Sequence, residues 1–181
     1  AKLSLFQTVI QYLFFYVGLA HTTGVKASII EASNVFVAIL IASLIFRQEK
    51  LDKHKIIGCI AGFAGVVLIN INQSGLDMSL SLTGEGFILL STIAYAVSSV
   101  LIKIYSREDN PVMLSGWQFL LGGIIMILCG YLTGGSVSVW TAPSISMLFY
   151  LAAVSAVAYS LWGILLKLNP VSKVAVFGFM K

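Results

Sequence analysis

Polar side chains able to bind a small molecule recur at helical spacing inside otherwise apolar stretches of this 181-residue chain. A carboxylate there could carry a proton or hold an ammonium group, and amides and hydroxyls could hydrogen-bond a ligand. Aromatic faces could stack on the ligand or contact a cation. The residues selected on these grounds as the lining of a wet central cavity are Glu31, Asn34, Tyr95, Gln118, Tyr159 and Trp162.

Glu31 carries the most chemical weight of this set. It lies six residues past Val25, roughly 9 Å into a helix at about 1.5 Å per residue. A carboxylate at that depth is costly unless it is paired, protonated or hydrated. Its role is therefore open between a proton carrier, a contact for a substrate ammonium group, and a structural partner of Lys26. The other polar positions could also be hydrogen-bonding glue between helices.

Enzyme chemistry finds no support in the sequence. HExxH, GxSxG and phosphate-loop motifs are absent, so an enzyme is not predicted. His21 and His54 fall at opposite ends of the predicted helices, and Cys59 and Cys129 lie within apolar runs without a nearby partner. No cofactor or metal is expected. The formal charge of +4 sits in short connectors without interleaved aromatic residues, which argues against a nucleic-acid partner.

The elements that must position these side chains are membrane-spanning helices. Hydrophobic residues make up 59% of the chain and charged residues 10%, against about 25% charged in soluble domains. A spanning helix needs roughly 17–25 mostly apolar residues, and the period-2 alternation of barrel strands is missing. The sequence predicts an all-α, multi-pass integral membrane bundle with helices at Leu3–Ala20, Ala27–Phe46, Ile56–Ile71, Gly86–Ile102, Val112–Leu132, Ser144–Leu166 and a seventh from Val174.

Lysine and arginine are distributed unequally between the two ends of these helices. Lys2 and the connectors 47–55, 103–110 and 167–173 together hold nine basic residues, whereas the opposite end has only Lys26. Basic connectors of membrane proteins stay in the cytoplasm. The prediction is a multi-pass protein of the cell inner membrane with these three connectors cytoplasmic.

The stretch Phe14–Ile71 resembles the EamA family of the drug/metabolite transporter superfamily. Asn34-Val35-Phe36, followed by Arg47-Gln48-Glu49-Lys50-Leu51, is similar to the family pattern Pro-Val-Phe … Gly-Glu-Arg-Leu. Asn34 stands where the family has proline, and Gln48 where it has glycine. Further similar segments are Tyr16–Ile30, Ile57-Gly58, Ala64–Leu68, Gly116–Gly123 and Asn169–Phe177.

The resemblance implies ten helices in two inverted repeats of five. Residues 1–72 would then hold helices three to five, and residues 84–181 helices six to nine with the last incomplete, so the chain is expected to be a fragment. A shift of 147 residues places Tyr12 on Tyr159, but the identities in this alignment do not exceed chance. The count of basic residues is better support for inversion, because it places the connector holding Lys26 outside and the connector holding Lys173 inside.

The function that follows is a secondary transporter working by alternating access. By resemblance it exports small polar or amphipathic metabolites such as amino acids, with a proton or another ion as a partner left open. A passive channel and a non-transporting membrane scaffold remain alternatives. The spacing Gly58-x-x-x-Gly62 with Gly65 favours either packing inside the bundle or a homodimer.

Overall fold

The computed structural model describes residues 2–50, 52–71, 82–135 and 141–177, and these residues form helices and turns without a strand. Two of the helices consist of consecutive segments: α1 (Lys2–Ser4, Leu5–Ile10, Gln11–Leu19) and α2 (Gly24–Ala32, Asn34–Leu40, Ile41–Ile45). The others are α3 (Lys53–Ile71), α4 (Glu85–Tyr105), α5 (Pro111–Leu132), α6 (Ala142–Leu168) and α7 (Val171–Ala175). The all-α prediction is confirmed.

Four helices among the described residues are long and apolar enough to cross a membrane. They are Gly24–Ile45, Glu85–Tyr105, Pro111–Leu132 and Ala142–Leu168. Each exceeds the roughly 17 residues that a bilayer requires. The protein is therefore a multi-pass helical membrane protein, as the composition predicts.

Helix starts follow from local capping chemistry. The Thr23 side chain accepts a hydrogen bond from the backbone N–H of Lys26 at the start of α2. At α5, Asn110 accepts from Val112, and Pro111 occupies the first turn, where its missing N–H costs nothing. The seventh helix begins at Val171, directly after a proline and earlier than the predicted Val174. The apolar run alone misplaces this start because Ser172 and Lys173 interrupt it.

Two helices depart from regular α geometry inside the bundle. Segment Leu5–Ile10 of α1 is π-helical, as is Ile41–Ile45 of α2. Between its first two segments, α2 is interrupted at Ser33, whose hydroxyl donates to the Ile30 carbonyl at 2.5 Å. This interruption lies beside Asn34, where the resembling family has proline. Departures of this kind are frequent at functional sites.

Helix α4 forms the centre of the bundle and α6 lies at its edge. Buried residues occur along the whole of α4, whereas in α6 only Gly163 and Leu166 are buried. Helices α1 and α4 approach closely at Gly18, where an added Cβ would lie 2.9 Å from the Gly84 carbonyl oxygen. A central helix with neighbours on several faces can present side chains to all of them.

Three connectors meet at one end of the bundle, which we call the basic end. Arg107 donates to the Gln48 side chain at 2.5 Å, so the connector after α2 contacts the connector after α4. Lys167, at the end of α6, donates to the Asp109 carbonyl at 3.5 Å. These are the connectors that hold eight of the basic residues, and their common location agrees with the predicted topology.

The opposite end of the bundle holds a different set of contacts. Glu85, at the start of α4, accepts a 2.7 Å hydrogen bond from the Thr22 hydroxyl and lies 3.4 Å from Lys26 Nζ. The sequence leaves Lys26 open as a structural partner of Glu31, but the structure pairs it with Glu85. Both Glu85 and the Lys26 side chain are largely buried.

Two glycines of the glycine-rich motif of α3 have no close neighbour among the described residues. A Cβ added at Gly58 or Gly65 would meet no described atom within 4 Å. No described residue packs on these two glycines, and packing inside the complete bundle stays a prediction. The homodimer stays a prediction.

Candidate functional site

The centre of the candidate site is a pair of tyrosines from the first and second halves of the chain. The hydroxyl oxygens of Tyr12 on α1 and Tyr159 on α6 lie 2.9 Å apart. Phe119 of α5 packs edge-on against Tyr159, with ring centroids 4.7 Å apart. Ser115 donates to the Tyr159 backbone carbonyl at 3.4 Å. Three helices thus converge on one aromatic pair.

The contact between α1 and α5 is close enough to exclude a side chain. Thr8 donates to the Gln118 backbone carbonyl at 3.5 Å. One turn further along α5, a Cβ added at Gly122 would lie 2.4 Å from Thr8 Cβ. Helix α5 therefore needs glycine at position 122 to bring Gln118 against α1.

Glutamine side chains next to this contact are buried without partners. The exposed fractions of Gln7 and Gln118 are 0% and 1%. Neither the oxygen nor the nitrogen of either amide has a hydrogen-bond partner within the described part of the chain, and the same holds for Gln11 Oε1. Each unsatisfied buried polar atom costs about 1–3 kcal/mol. Such atoms are rare in native proteins and mark positions where a ligand or water bonds.

Helices α4 and α6 contribute an aromatic pair. The ring centroids of Tyr95 and Trp162 lie 6.4 Å apart. The indole Nε1 of Trp162 is buried and has no hydrogen-bond partner among the described residues. The hydroxyls of Ser98 and Ser99 both donate to the Tyr95 carbonyl, at 2.7 and 3.1 Å. Both serine hydroxyls therefore donate within their own helix rather than to another element.

Helix α2 supplies Glu31 and Asn34 on either side of its interruption. Both residues are partly buried. The Glu31 carboxylate is close enough to the hydroxyls of Tyr95 and Tyr159 to interact electrostatically with both. Asn34 Oδ1 is buried without a hydrogen-bond partner among the described residues. Among the described helices, α2 is the one seen to bring a carboxylate to this group of side chains.

The structure groups most of the six selected residues. Tyr95 contacts Trp162, Glu31 interacts with Tyr95 and Tyr159, and the backbone around Gln118 is tied to α1 and α6. The structure gives Asn34 no hydrogen bond to the other five. We call the whole set the central cluster: Gln7, Gln11, Tyr12, Glu31, Asn34, Tyr95, Gln118, Tyr159 and Trp162.

Three members of the central cluster, all on α1, are absent from the residues that the sequence selects. Gln7 and Gln11 are four residues apart, and Tyr12 lies four residues past Thr8. This spacing is visible in the sequence, but nothing local distinguishes these side chains from packing residues. The 147-residue shift places Tyr12 on Tyr159, but the identities in that alignment do not exceed chance, so the shift does not single out Tyr12.

The cluster contains no constellation suited to holding a metal. In residues 2–50, 52–71, 82–135 and 141–177, no three His, Cys, Asp or Glu side chains come together as ligands. What the cluster offers is one carboxylate, several amides and aromatic faces inside a membrane bundle. Groups of these kinds are suited to binding and orienting a small molecule.

A multi-pass helical bundle with a polar interior at the level of its membrane spans has the organisation of a membrane transporter. The comparison with known families agrees with this class. The EamA-like transporter family matches residues 1–71 and 82–181. The chain belongs to this family, which points to a transporter and not to an enzyme.

Curated proteins similar to the chain include three that are named as uncharacterized transporters. A protein of Methanothermobacter thermautotrophicus is 30% identical over 133 residues, covering 72% of this chain and 38% of that protein. One from Acidianus ambivalens, "in sor 3'region", is 29% identical over 98% of this chain and 67% of its own length. One from Archaeoglobus fulgidus is 30% identical, covering 98% and 62%.

The chain thus spans between 38% and 67% of the length of these relatives. No solved structure matches it.

Proposed function

We propose that this chain is part of a secondary transporter that exports small polar or amphipathic metabolites, such as amino acids or related compounds, by alternating access across the cytoplasmic membrane. Residues 1–72 would belong to the first repeat of an inverted pair and residues 84–181 to the second. The central cluster is the proposed substrate site, since inverted-repeat transporters hold their substrates where the two repeats meet.

The observation that carries the proposal is the set of buried polar atoms without partners. The amides of Gln7 and Gln118, and Trp162 Nε1, are enclosed inside the bundle without hydrogen bonds to the described residues. A scaffold has no use for such atoms, because each lowers its stability. In a transporter such atoms are useful, because a substrate can form the missing hydrogen bonds. Binding then recovers the free energy that the unpaired atoms cost the empty site.

The same observation separates the proposal from a passive pore. A pore keeps its lining groups in contact with water, whereas Gln7 and Gln118 are almost fully enclosed by protein. Enclosed groups require the bundle to open before a solute reaches them. That requirement is the basis of alternating access, and it predicts transport that saturates.

Glu31 is the proposed coupling residue. It is the carboxylate of the central cluster, it interacts with the hydroxyls of Tyr95 and Tyr159, and it lies beside the interruption of α2 at Ser33. A change of protonation at Glu31 would alter the charge next to the proposed substrate. The same carboxylate could hold the ammonium group of a substrate.

Glu31→Gln tests the proposed coupling. The variant keeps the shape and hydrogen bonding of the side chain but cannot titrate. In inside-out vesicles that contain the complete protein and receive radiolabelled amino acids on the outside, we expect an imposed pH gradient to drive accumulation through the wild-type protein and not through the variant. Exchange of the same amino acids down their own gradients should survive in the variant.

Glu108→Gln is the matched control, because Glu108 is an exposed carboxylate in the connector after α4. It should leave accumulation unchanged. Unaltered accumulation and pH dependence in Glu31→Gln would show that Glu31 does not couple transport. A failure of the wild-type protein to accumulate or exchange any amino acid would overturn the substrate class.

A further inference from the structure

A buried carboxylate at the basic end has no part in the central cluster. Glu49 follows α2, and only 8% of its side chain is exposed. Its carboxylate oxygens accept hydrogen bonds from the Ser172 backbone N–H, at 3.2 and 3.4 Å, and from the Ser172 hydroxyl. Lys55 Nζ lies 3.0 Å away. Glu49 is therefore bonded to α3 and to α7 at once.

These contacts join the two halves of the chain. Glu49 and Lys55 belong to the first segment matched by the family, and Ser172 to the second. Lys103 of α4 also lies close enough to interact electrostatically with Glu49. Next to this group, Arg107 bonds to Gln48 and adds a second link between the halves. The basic end is held together across the two halves by polar bonds.

Glu49 is ionised at neutral pH. Burial alone would raise the pKa of its carboxyl, but the hydrogen bonds from Ser172 and Lys55 outweigh burial and lower the pKa below its ordinary value of 4.5. Hydrogen bonds to an ionised acceptor are the strong class. Because a buried charge that loses its partners is costly, Ser172 cannot leave Glu49 unless water or another donor replaces it.

The apolar contacts around Ser172 explain what this bond holds in place. Val171, Val174 and Ala175 of α7 are buried in the same core as Val35 and Ala38 of α2. Trp162 of the central cluster packs against this core. The start of α7 thus belongs to the same apolar core against which Trp162 of the central cluster packs.

We propose that Glu49 is a latch that closes the basic end. The ionised carboxylate holds the start of α7 against the connector after α2, and release of Ser172 opens a path from the basic end to the central cluster. This inference rests on the proposed function, since it describes how the two halves of a transporter part on one side.

The opposite end provides a second tie of similar chemistry. There, Glu85 bonds to Thr22 and lies 3.4 Å from Lys26. A transporter that alternates must keep one of its ends closed while the other opens. Breaking the Glu85 tie should therefore leave the basic end closed, which makes Glu85 the comparison for Glu49.

Cysteine labelling tests the latch without knowledge of the substrate. Ser99 lies on α4 one turn past Tyr95, towards the basic end, and is buried. The reporter is Ser99→Cys in a chain whose native Cys59 and Cys129 are replaced by alanine. Inside-out and right-side-out membrane vesicles expose each side in turn to a membrane-impermeant maleimide.

Adding Glu49→Gln should raise the labelling rate about tenfold from the side of the basic end, since charge-assisted hydrogen bonds are about twice as strong as neutral ones. Ser172→Ala should act in the same direction with a smaller effect. Glu85→Gln should leave the rate from the basic end unchanged. Asp52→Asn, at an exposed carboxylate of the same connector, should also change nothing.

Two results would overturn the latch: equal rates in wild type and in both Glu49→Gln and Ser172→Ala, or faster labelling from both sides in Glu49→Gln. The second result would indicate general loosening of the fold. The outcome is independent of the transport assay. If the protein transports amino acids but Glu49→Gln does not change the labelling rate, the latch alone is refuted. If the protein transports none of them but Glu49→Gln still raises the labelling rate from the basic end, the transport proposal alone is refuted.

Discussion

Replacement of Gly122 by alanine should disrupt the contact that positions Gln118, and Gly123 offers an adjacent control. A Cβ at Gly122 would lie 2.4 Å from Thr8 Cβ, whereas a Cβ at Gly123 would meet no described atom within 4 Å. Thr8 Cβ is fixed to its backbone and cannot rotate away. The clash can be relieved only by moving α1 away from α5.

The expected magnitudes follow from two opposing effects. Alanine is better than glycine in a helix interior by about 1 kcal/mol, and this gain applies to both positions. Overpacking costs about 1–3 kcal/mol and applies to Gly122 alone. Gly123→Ala should therefore stabilise the protein slightly, and Gly122→Ala should be less stable than Gly123→Ala by about 1–3 kcal/mol.

Thermal unfolding of the purified variants in detergent measures this difference. A change of 1 kcal/mol corresponds to roughly 2–4 °C for a chain of this size. The midpoint of Gly122→Ala should thus fall below that of Gly123→Ala by at least a few degrees. Indistinguishable midpoints would show that α1 and α5 do not meet at Thr8 and would remove the structural basis for placing Gln118 in the central cluster.

Three other predictions concern the basic end and the topology. Arg47 has a left-handed backbone with φ 49°, which strains a side chain but not glycine. Arg47→Gly should therefore stabilise the protein by about 1 kcal/mol, measured as a higher midpoint of thermal unfolding. A single cysteine at Leu82 should react with an impermeant reagent outside intact cells, and one at Asp52 should not; the reverse would invert the topology. Since the folded pKa of Glu49 is lowered, the stabilisation that its ionised carboxylate gives the basic end is fully present above pH 4.5. This stabilisation is lost as the pH falls through the folded pKa. At each pH, the Ser99→Cys labelling rate from the basic end should be divided by the rate of the same reporter in Glu49→Gln, which cancels the loss of thiolate at acidic pH. This ratio should rise over that acidic range.

The sequence predicts the helices well because the bilayer imposes their length and composition. The predicted run Val112–Leu132 differs from α5 by one residue at its start. The run Gly86–Ile102 falls short of α4 at both ends, because the charges of Glu85 and Lys103 are typical of connectors. Both charged side chains are instead bonded by neighbouring elements, Glu85 by Thr22 and Lys103 by the Leu166 carbonyl. Hydropathy cannot foresee partners more than sixty residues away.

Partners between helices are what the sequence could not supply. Polar spacing indicates which face of a helix turns inward, but not which residue it meets. The sequence places Glu49 at a helix end, but its burial depends on Ser172, 123 residues further along the chain. The spacing of the glycines of α3 likewise does not identify their partner, since Gly58 and Gly65 meet no atom of the described residues within 4 Å of an added Cβ.

The tyrosine pair connects the proposed symmetry with the proposed chemistry. Tyr12 and Tyr159 are 147 residues apart, the shift that superimposes Lys26 on Lys173. If the halves are inverted repeats, as we propose, these tyrosines are equivalent positions that meet at the pseudo-two-fold axis. Two hydroxyls 2.9 Å apart share one hydrogen bond, and either can be the donor. The hydroxyl that accepts this bond keeps its own proton available for another acceptor. When the two tyrosines exchange the roles of donor and acceptor, the available proton changes from one half of the chain to the other. In the proposed transporter, a pair of this kind can therefore offer a hydroxyl donor to a substrate from either half of the chain.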